Sequence, residues 1–268
     1  MWIDALRLSN FRNYIDLQVE LARGINFFVG PNGSGKTGIL EAVSYLAVAR
    51  SLRGAGDAGG IRWGSEECGV SGDVTTDGRT LTTTLRLGRG GRKDVTVDGE
   101  RLERLSDLVG MLRVAWFCPE DTWLTKGGPD ERRKYLDLTL CQRDPGYLEA
   151  LSGYRRALRQ RNEALMSWTP DDESERVLDV WTERLVKYGG RVIAARRELM
   201  GPLGEAVSRY HRTIAGDSAL EIGYRASVKQ GGGGERIPDE KSAGEKAARE
   251  LFASALEKLW IHRGALVD

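Results

Sequence analysis

The hydrophobic and polar positions in the first third of the chain predict two strands, a buried strand and a helix, in that order. Residues 3–8 and 17–22 carry apolar side chains at a period close to two, which is typical of half-buried strands. Residues 25–29, INFFV, form a short apolar run that ends at Gly30, as buried parallel strands do. Residues 38–49 place their apolar side chains on one face at helical spacing, which predicts a helix.

Residues 70–97 predict antiparallel hairpins. Asp-Gly pairs at 77–78 and 98–99 border threonine-rich stretches of alternating pattern, and such pairs favour tight two-residue turns. Residues 112–118, LRVAWFC, predict a further apolar strand. The pattern therefore predicts an antiparallel sheet beside the strand, loop and helix that precede it.

The second half of the chain changes to helical spacing from about residue 130 to about residue 213, which predicts two long antiparallel helices. Residues 169–175, TPDDESE, are typical of a turn followed by a capped helix start. Residues 219–228 predict a strand, and residues 241–260 predict a final helix. Together with the first third, this order of elements predicts an α/β protein.

Composition narrows the class of protein. The chain has 268 residues with 40 basic and 39 acidic side chains, so any contact with DNA would need a local basic patch. Its three cysteines form no CxxC or Cys/His cluster, which argues against zinc and disulfides and favours a reducing compartment. Neither a signal peptide nor an apolar run of about 20 residues is present. We therefore expect a soluble cytoplasmic protein with no membrane partner.

The candidate chemistry lies in GPNGSGKT, which satisfies GxxxxGK[ST] between a predicted strand and a predicted helix. Glycines let successive backbone N–H groups surround a phosphate, and the helix N-terminus adds favourable electrostatics. Lys36 is expected to reach the β- and γ-phosphates, and the Thr37 hydroxyl is expected to be a ligand for Mg²⁺. The predicted triphosphate site consists of Gly30, Pro31, Asn32, Gly33, Ser34, Gly35, Lys36 and Thr37.

A site that hydrolyses ATP also needs an acidic residue at the end of an apolar strand to hold Mg²⁺. Residues 114–121, VAWFCPED, are the best candidate, but Pro119 interrupts the strand before Glu120. The stretch LSGY at residues 151–154 superficially resembles the signature of ATP-binding-cassette proteins, but it lies within a leucine-spaced helix, which favours a chance match. The sequence therefore predicts a phosphate-binding loop and no catalytic residue.

Three motifs in order resemble the RecF family, bacterial DNA-repair ATPases related to the SMC and Rad50 heads. LRLSNFRNY at residues 6–14 resembles the segment before the family's loop, and PEDTWLTKGGPDERRKYLD at 119–137 resembles its signature. YRRALRQRNEAL at 154–165 resembles the arginine-rich helix that follows. The resemblance covers essentially the whole chain. It implies a P-loop head of the ABC/SMC type with a flanking antiparallel sheet and an inserted helical arm.

The resemblance also implies a domain division. Residues 1–125 would form the N-terminal part of the ATP-binding head, 126–215 a helical arm, and 216–268 the start of a return to the head. The segment IHRGALVD resembles one that precedes the family's signature and Walker B motifs, so we expect a truncated C-terminus. The sequence departs from the family at Leu52, where a histidine is common, and at Thr125, where an aliphatic residue is usual.

The function implied by the resemblance is recombinational repair and replication. RecF proteins bind ATP with Mg²⁺, dimerise around it, and bind DNA at single strands and gap junctions. They act with RecR and RecO in recombinase loading and contribute to the SOS response. Their ATPase activity is weak and DNA-dependent. Arg12 and Asn13 are expected near the nucleotide, because the NFRNY segment of the family packs beside the loop.

Two alternatives remain open: a non-hydrolysing fragment that retains ATP or DNA contacts, and the head of another SMC-like ATPase. The second would predict a long coiled coil or a nuclease cluster. Two basic groups could contact DNA or a partner. For Arg132, Arg133 and Lys134 a solvated helix start is the favoured interpretation. A solvated surface and a binding surface explain the second group equally well: Arg155, Arg156, Arg159 and Arg161. Trp116 and Trp123 could stack on bases, but core packing is the favoured interpretation.

Overall fold

The computed structural model describes residues 1–53, 56–216 and 220–226. The chain divides into two compact units, Met1–Pro145 and Gly146–Asp268. The predicted helix at 241–260 lies outside the described residues, as does most of the segment predicted to return to the head.

The first unit is built on a six-stranded sheet of order β2-β1-β3-β4-β5-β6. Every neighbouring pair of strands is antiparallel. The strands are β1 (Trp2–Phe11), β2 (Tyr14–Glu20), β3 (Glu67–Thr76), β4 (Arg79–Gly88), β5 (Lys93–Val97) and β6 (Glu100–Arg101). The antiparallel sheet expected from the alternating pattern is therefore confirmed.

The two Asp-Gly pairs form the turns of this sheet. Asp77 and Gly78 have φ of 49° and 80°, and Asp98 and Gly99 have φ of 50° and 84°. Two successive residues with positive φ are what a tight hairpin turn of this kind requires, and aspartate and glycine tolerate that conformation best. The predicted hairpins are thus set by local turn chemistry.

One face of the sheet is covered by helix α1 (Lys36–Val48). The core between them contains fully buried side chains from both elements: Leu6, Leu8, Phe11, Tyr45, Leu46, Val70 and Leu85. A Cβ on Gly72 of β3 would lie 2.5 Å from Cδ1 of Leu46, so this glycine lets the helix approach the sheet closely. The predicted helix at 38–49 is confirmed, and the close packing at Leu46 holds the last turns of α1 against the sheet.

After the sheet the first unit becomes helical. The elements after the last strand are the 3₁₀ turns Leu105–Leu108 and Pro119–Thr122 and the helices α2 (Trp123–Lys126) and α3 (Pro129–Arg143). One further 3₁₀ turn, Asp57–Gly60, lies between α1 and β3. Pro129 stands in the first turn of α3, where its missing N–H costs no hydrogen bond. The proline-led signature segment therefore forms a 3₁₀ turn and the start of a helix.

Two predicted strands are not formed, namely residues 25–29 and 112–118. Side chains in both runs still alternate between buried and exposed positions. Phe28 and Val114 pack against the core. The side chains that point the other way are exposed: Ile25 by 79%, Phe27 by 83%, Val29 by 93% and Phe117 by 88%. A strand is defined by its hydrogen-bonded neighbours. Within the described ranges, these runs have none beyond one isolated bridge between Leu112 and Val109.

The exposed apolar side chains of these runs predict self-association of the chain. Contiguous apolar surface promotes association, so replacing Phe27 and Phe117 by serine should lower light scattering and binding of a hydrophobic dye. Because both side chains are more than 80% exposed, the melting temperature should hardly change. The control is Phe11→Ser, which removes a fully buried ring and should lower the melting temperature strongly. If the double serine variant loses as much melting temperature as Phe11→Ser, the exposure of Phe27 and Phe117 is contradicted.

The second unit is a pair of long helices, α4 (Pro145–Met166) and α5 (Asp172–Ala215). They run antiparallel, since Arg161 near the end of α4 meets Thr182 early in α5, whereas Tyr147 meets Arg196. Asp171 caps α5 by accepting a hydrogen bond of 2.7 Å from the N–H of Ser174. The predicted helix pair and capped start are confirmed.

Two further predictions fall on this unit. The strand predicted at 219–228 is not formed over residues 220–226, which have no regular secondary structure. Tyr224 and Ala226 instead pack, partly buried, against the helices near Leu185, whereas Leu220 and Ile222 are exposed by 38% and 37%. None of the helices in the described part of the chain is long and apolar enough to cross a membrane.

The LSGY stretch lies inside α4, and its glycine has a packing role. A Cβ on Gly153 would lie 2.7 Å from two ring atoms of Tyr188 on α5. Glycine is therefore needed here because the two helices approach closely. This contact supports the interpretation of LSGY as a chance match to the cassette signature.

Replacing Gly153 by alanine should destabilise the chain. Alanine gains about 1 kcal/mol of helix propensity, but the clash with Tyr188 should cost about 1–3 kcal/mol more than that. The control is Gly204→Ala in α5, where a Cβ meets only Cγ1 of Ile222 at an ordinary 3.6 Å, and it should raise stability by about 0.5–1 kcal/mol. Urea unfolding of both variants measures the difference. Equal shifts of the midpoint in the two variants would contradict the close approach of the helices.

Candidate nucleotide-binding site

The loop of residues 30–37 connects the exposed run at 25–29 to α1. Gly33 and Gly35 have φ of 83° and 97°, a left-handed conformation that favours glycine. Gly35 is the N-cap of α1 and supplies no side-chain oxygen to the first-turn N–H groups. Those N–H groups remain suited to an anion, which the helix N-terminus attracts. The loop thus fits the phosphates of a nucleotide.

Lys36 lies across this loop. Its Nζ donates hydrogen bonds of 2.7 Å to the carbonyl oxygens of both Gly30 and Pro31. The Lys36 ammonium group therefore lies at the concave side of the loop formed by the backbone of residues 30–37. Thr37 follows on the first turn of α1 with an exposed side chain, so its hydroxyl is accessible to a Mg²⁺ ion bound to phosphates.

The segment between β1 and β2 braces the loop. The Nδ2 group of Asn13 donates a hydrogen bond of 2.7 Å to the carbonyl oxygen of Gly33. The ring of Tyr14 lies against Gly35, where a Cβ would come within 2.7 Å of the tyrosine hydroxyl. Burial raises the pKa of Tyr14, so its hydroxyl stays neutral beside a loop suited to an anion. Asn13 and Tyr14 therefore hold the two glycines with positive φ in place.

Arg12 contacts the body of α1. Its Nε and Nη2 groups donate hydrogen bonds of 2.9 and 2.6 Å to the two carboxylate oxygens of Glu41. Glu41 is fully buried and also accepts a 2.5 Å hydrogen bond from the Ser51 hydroxyl. The backbone N–H of Arg12 donates to the carbonyl oxygen of Gly60 at 2.8 Å. The structure thus brings Arg12, Asn13 and the loop together at one end of α1.

Three residues of this site are not apparent from the loop motif: Tyr14, Glu41 and Ser51. Glu41 had a usable signal, because it is a charged residue among apolar positions of the predicted helix, and such a residue is paired when it is buried. Tyr14 and Ser51 carry no pattern of their own. Their roles depend on contacts that only the folded chain creates.

The basic group at the start of α3 forms local contacts. Arg133 pairs with Asp130, and Lys134 Nζ lies 2.7 Å from Glu131 Oε1. Arg132 Nη1 donates to the carbonyl oxygen of Gly127 at 3.1 Å. These three side chains therefore stabilise the start of their own helix.

The second basic group is smaller than the sequence indicates. Arg161 is buried, and its Nε donates a 2.9 Å hydrogen bond to the hydroxyl of Thr182 on α5. Arg155, Arg156 and Arg159 remain exposed on α4. Arg161 thus belongs to the packing between the helices and not to a surface patch.

The two tryptophans of the signature segment differ in burial. Trp116 is partly buried, in agreement with the core-packing interpretation. Trp123 is 58% exposed, so that interpretation is wrong for this residue. Among the described residues, no group of three or more His, Cys, Asp or Glu side chains is arranged to hold a metal ion.

Comparison with known proteins relates the chain to an ATPase domain family and to RecF proteins. Residues 5–110 match a family described as an AAA domain. The DNA replication and repair protein RecF of Acidothermus cellulolyticus is 39% identical over 233 residues, which are 86% of this chain and 63% of that protein. RecF of Heliobacterium modesticaldum is 34% identical over 253 residues, which are 94% of this chain and 66% of that protein. The chain thus spans less than two thirds of these curated relatives.

Solved structures extend the similarity to the fold. The recombination mediator protein RecF with ATP, from the RecFOR pathway, is 29% identical with a TM-score of 0.86 over 96% of this chain and 66% of that chain. The same protein with ATPrS gives a TM-score of 0.85, covering 96% of this chain and 67% of that one. The expected α/β P-loop ATPase fold is therefore confirmed. In both sequence and fold, the chain is similar to RecF proteins over most of its own length.

Proposed function

We propose that this chain binds ATP through residues 30–37 and is the ATP-binding part of a DNA replication and repair protein. The observation that carries the proposal is the loop itself, with Gly33 and Gly35 at positive φ on an N-terminus of α1 that no side chain caps. A RecF with ATP shares this fold, which supports the choice of nucleotide.

The geometry indicates how the side chains act. The backbone N–H groups of residues 32–37 bind the phosphate oxygens, and Lys36 exchanges its two carbonyl contacts for the β- and γ-phosphates. The Thr37 hydroxyl would be a ligand for Mg²⁺, and the bound ion would neutralise part of the phosphate charge. Asn13 keeps the loop open by holding the Gly33 carbonyl, and Arg12 lies beside the first turn of α1. Together these residues orient the triphosphate along the helix start.

Calorimetric titration of the purified 268-residue chain with MgATP tests the proposal. We expect saturable binding of one ATP per chain and at least about tenfold weaker binding of AMP, which lacks the β- and γ-phosphates that Lys36 reaches. Absence of saturable heat with ATP, or equal affinity for AMP, would overturn the assignment of the loop.

The wider role follows from the family. We propose that residues 1–125 and 216–268 belong to the head and 126–215 to an arm. We also propose that the whole protein binds gapped and single-stranded DNA in the cytoplasm as an ATP-dependent dimer with RecR and RecO. A contribution to the SOS response belongs to the same proposal. The printed names of the relatives, which refer to replication, repair and recombination mediation, support this role.

Fluorescence anisotropy with labelled DNA tests the DNA preference. The chain with MgATP should bind gapped DNA more tightly than blunt duplex of the same length, because exposed bases add contacts that duplex does not offer. Equal affinity for the two DNAs at one salt concentration would contradict the preference. Omitting ATP from the same titration shows whether nucleotide is required.

A second candidate function, nucleotide binding without turnover, rests on Asp121. This carboxylate is in the best acidic candidate for a Mg²⁺ ligand, yet its Oδ2 accepts a 2.6 Å hydrogen bond from the N–H of Cys118. It therefore caps the 3₁₀ turn Pro119–Thr122 and does not extend a strand. Phosphate release by this chain should not exceed the buffer blank. Turnover that Lys36→Ala abolishes would contradict this candidate function.

A further inference from the structure

The buried carboxylate of Glu41 on α1 is a feature that phosphate binding by the loop does not explain. It lies five positions after Lys36, on the side of the helix that packs inward, with no exposed surface. Burying a carboxylate is costly unless it is paired. Glu41 accepts three hydrogen bonds, two from Arg12 and one from Ser51. A buried charge so fully bonded fixes the position of whatever it pairs with.

The contact with Glu41 uses only one edge of the Arg12 guanidinium. Arginine has five N–H donors, of which the carboxylate oxygens accept one from Nε and one from Nη2, so three donors remain. The structure gives those three no other hydrogen-bond partner among the residues it describes. The side chain is 25% exposed, and its Cβ and Cγ lie 3.6 and 3.7 Å from where a Cβ on Gly38 would stand. Arg12 thus lies along the first turn of α1.

We infer that Glu41 is the positioning residue for Arg12 in ATP binding: it fixes one edge of the guanidinium and leaves the other N–H donors to the nucleotide. This inference rests on the proposed binding of ATP by the loop. The pair also joins the turn before β2 to α1, two elements that both border the loop. A planar guanidinium held at two points presents its remaining donors in a defined plane, which suits phosphate oxygens.

Ser51 supplies the third hydrogen bond to the Glu41 carboxylate. Its hydroxyl donates to Glu41 Oε1 at 2.5 Å and accepts from the N–H of Arg53 at 3.2 Å. Ser44 binds the same helix end, donating at 2.7 Å to the backbone carbonyl of Glu41 and accepting from the N–H of Leu52 at 3.4 Å. Oε1 of Glu41 therefore accepts from both the Ser51 hydroxyl and Nη2 of Arg12. The two contacts together hold the carboxylate in one position.

A double-mutant cycle on ATP affinity tests the inference. Four chains are titrated with MgATP by calorimetry: wild type, Glu41→Gln, Arg12→Ala and the double variant. Glu41→Gln keeps the shape of the side chain and removes its charge, so Kd should rise about tenfold, equivalent to about 1.4 kcal/mol. The double variant should bind no more weakly than Arg12→Ala alone, because Glu41 acts through Arg12.

The control is Asp73→Asn. Asp73 forms a similar two-point pair with Arg7, at 3.1 and 2.7 Å, but in the sheet, where it contacts no residue of the loop. The hydrogen bond from Arg7 lowers the pKa of Asp73, so this carboxylate is also ionised. Its removal should leave the Kd for ATP unchanged. If Glu41→Gln melts below the assay temperature, Ser51→Ala replaces it. That variant removes one donor from Glu41 and should raise Kd about threefold.

The outcomes are distinct. A wild-type chain that does not bind ATP refutes the proposed function and this inference with it. If the wild type binds ATP, two results refute the inference and leave the proposed function standing. The first is additive effects of the two substitutions, and the second is an unchanged Kd in Glu41→Gln. Tighter binding by Glu41→Gln also refutes it, since Glu41 would then withhold Arg12 from the nucleotide. A rise in Kd that disappears in the Arg12→Ala background supports it.

Discussion

Replacing Lys36 by alanine will weaken ATP binding by about a hundredfold or more. The variant loses the ammonium that lies at the concave side of the loop and its charge-assisted hydrogen bonds to phosphate oxygens. Hydrogen bonds to charged groups contribute about 1.5–3 kcal/mol each, and a loss of about 3 kcal/mol corresponds to the stated change in Kd. Calorimetry with MgATP measures the affinity, and thermal unfolding establishes that the variant is folded.

Lys93→Ala is the matched control for that variant. Lys93 also donates to a backbone carbonyl, that of Ala49 at 2.9 Å, and pairs with Asp57 at 2.7 Å. It is a structural lysine on β5, so its loss should lower the melting temperature and leave the affinity for ATP unchanged. Affinity of the Lys36→Ala chain equal to that of the wild type would contradict the role of the loop lysine.

Replacing Gly35 by alanine will distort the loop and destabilise the chain by about 2–4 kcal/mol. Gly35 has φ of 97°, where a side chain is strained, and a Cβ would lie 2.7 Å from the Tyr14 hydroxyl and 2.8 Å from its Cζ. Backbone strain of this kind costs about 1–3 kcal/mol, and the clash adds to it. ATP binding should weaken in parallel, because the N–H groups at the start of α1 change direction. Urea unfolding and calorimetry measure the two effects.

Gly33→Ala separates strain from the clash. Gly33 has φ of 83°, but a Cβ there meets nothing within 4 Å, so this variant should cost only about 1–2 kcal/mol. Adding Tyr14→Ala to Gly35→Ala should recover part of the stability, because the added methyl group then has room. Equal costs at Gly33 and Gly35, with no recovery in the double variant, would show that Tyr14 does not support the loop.

The parts of the fold that the sequence predicts correctly are those set by local chemistry. The Asp77-Gly78 and Asp98-Gly99 turns form because these residue types tolerate positive φ. Each turn can therefore be predicted from the dipeptide alone. The cap at Asp171 is equally local, since its partner Ser174 is three residues away. The phosphate loop belongs to the same class, because GxxxxGK[ST] specifies backbone conformation and helix start together.

The parts that the sequence misses depend on distant partners. Residues 25–29 and 112–118 have the apolar pattern of strands, but a strand forms only where another chain segment supplies hydrogen bonds. Arg12 and Glu41 stand 29 residues apart, and no spacing rule connects them. Arg161 looks like part of a basic surface until Thr182 of the next helix covers it. Each of these outcomes is decided by tertiary contact.

The most direct test of the central claim is hydrogen–deuterium exchange of the 268-residue chain with and without saturating MgATP. If the backbone N–H groups at the loop and the start of α1 bind phosphate, peptides covering residues 30–39 will exchange more slowly with ATP. Peptides covering 12–14 should follow, because Asn13 and Arg12 contact the loop and α1. Peptides from β4 and β5 should not change. Protection confined to segments outside the loop, or no protection at saturating ATP, would contradict the account.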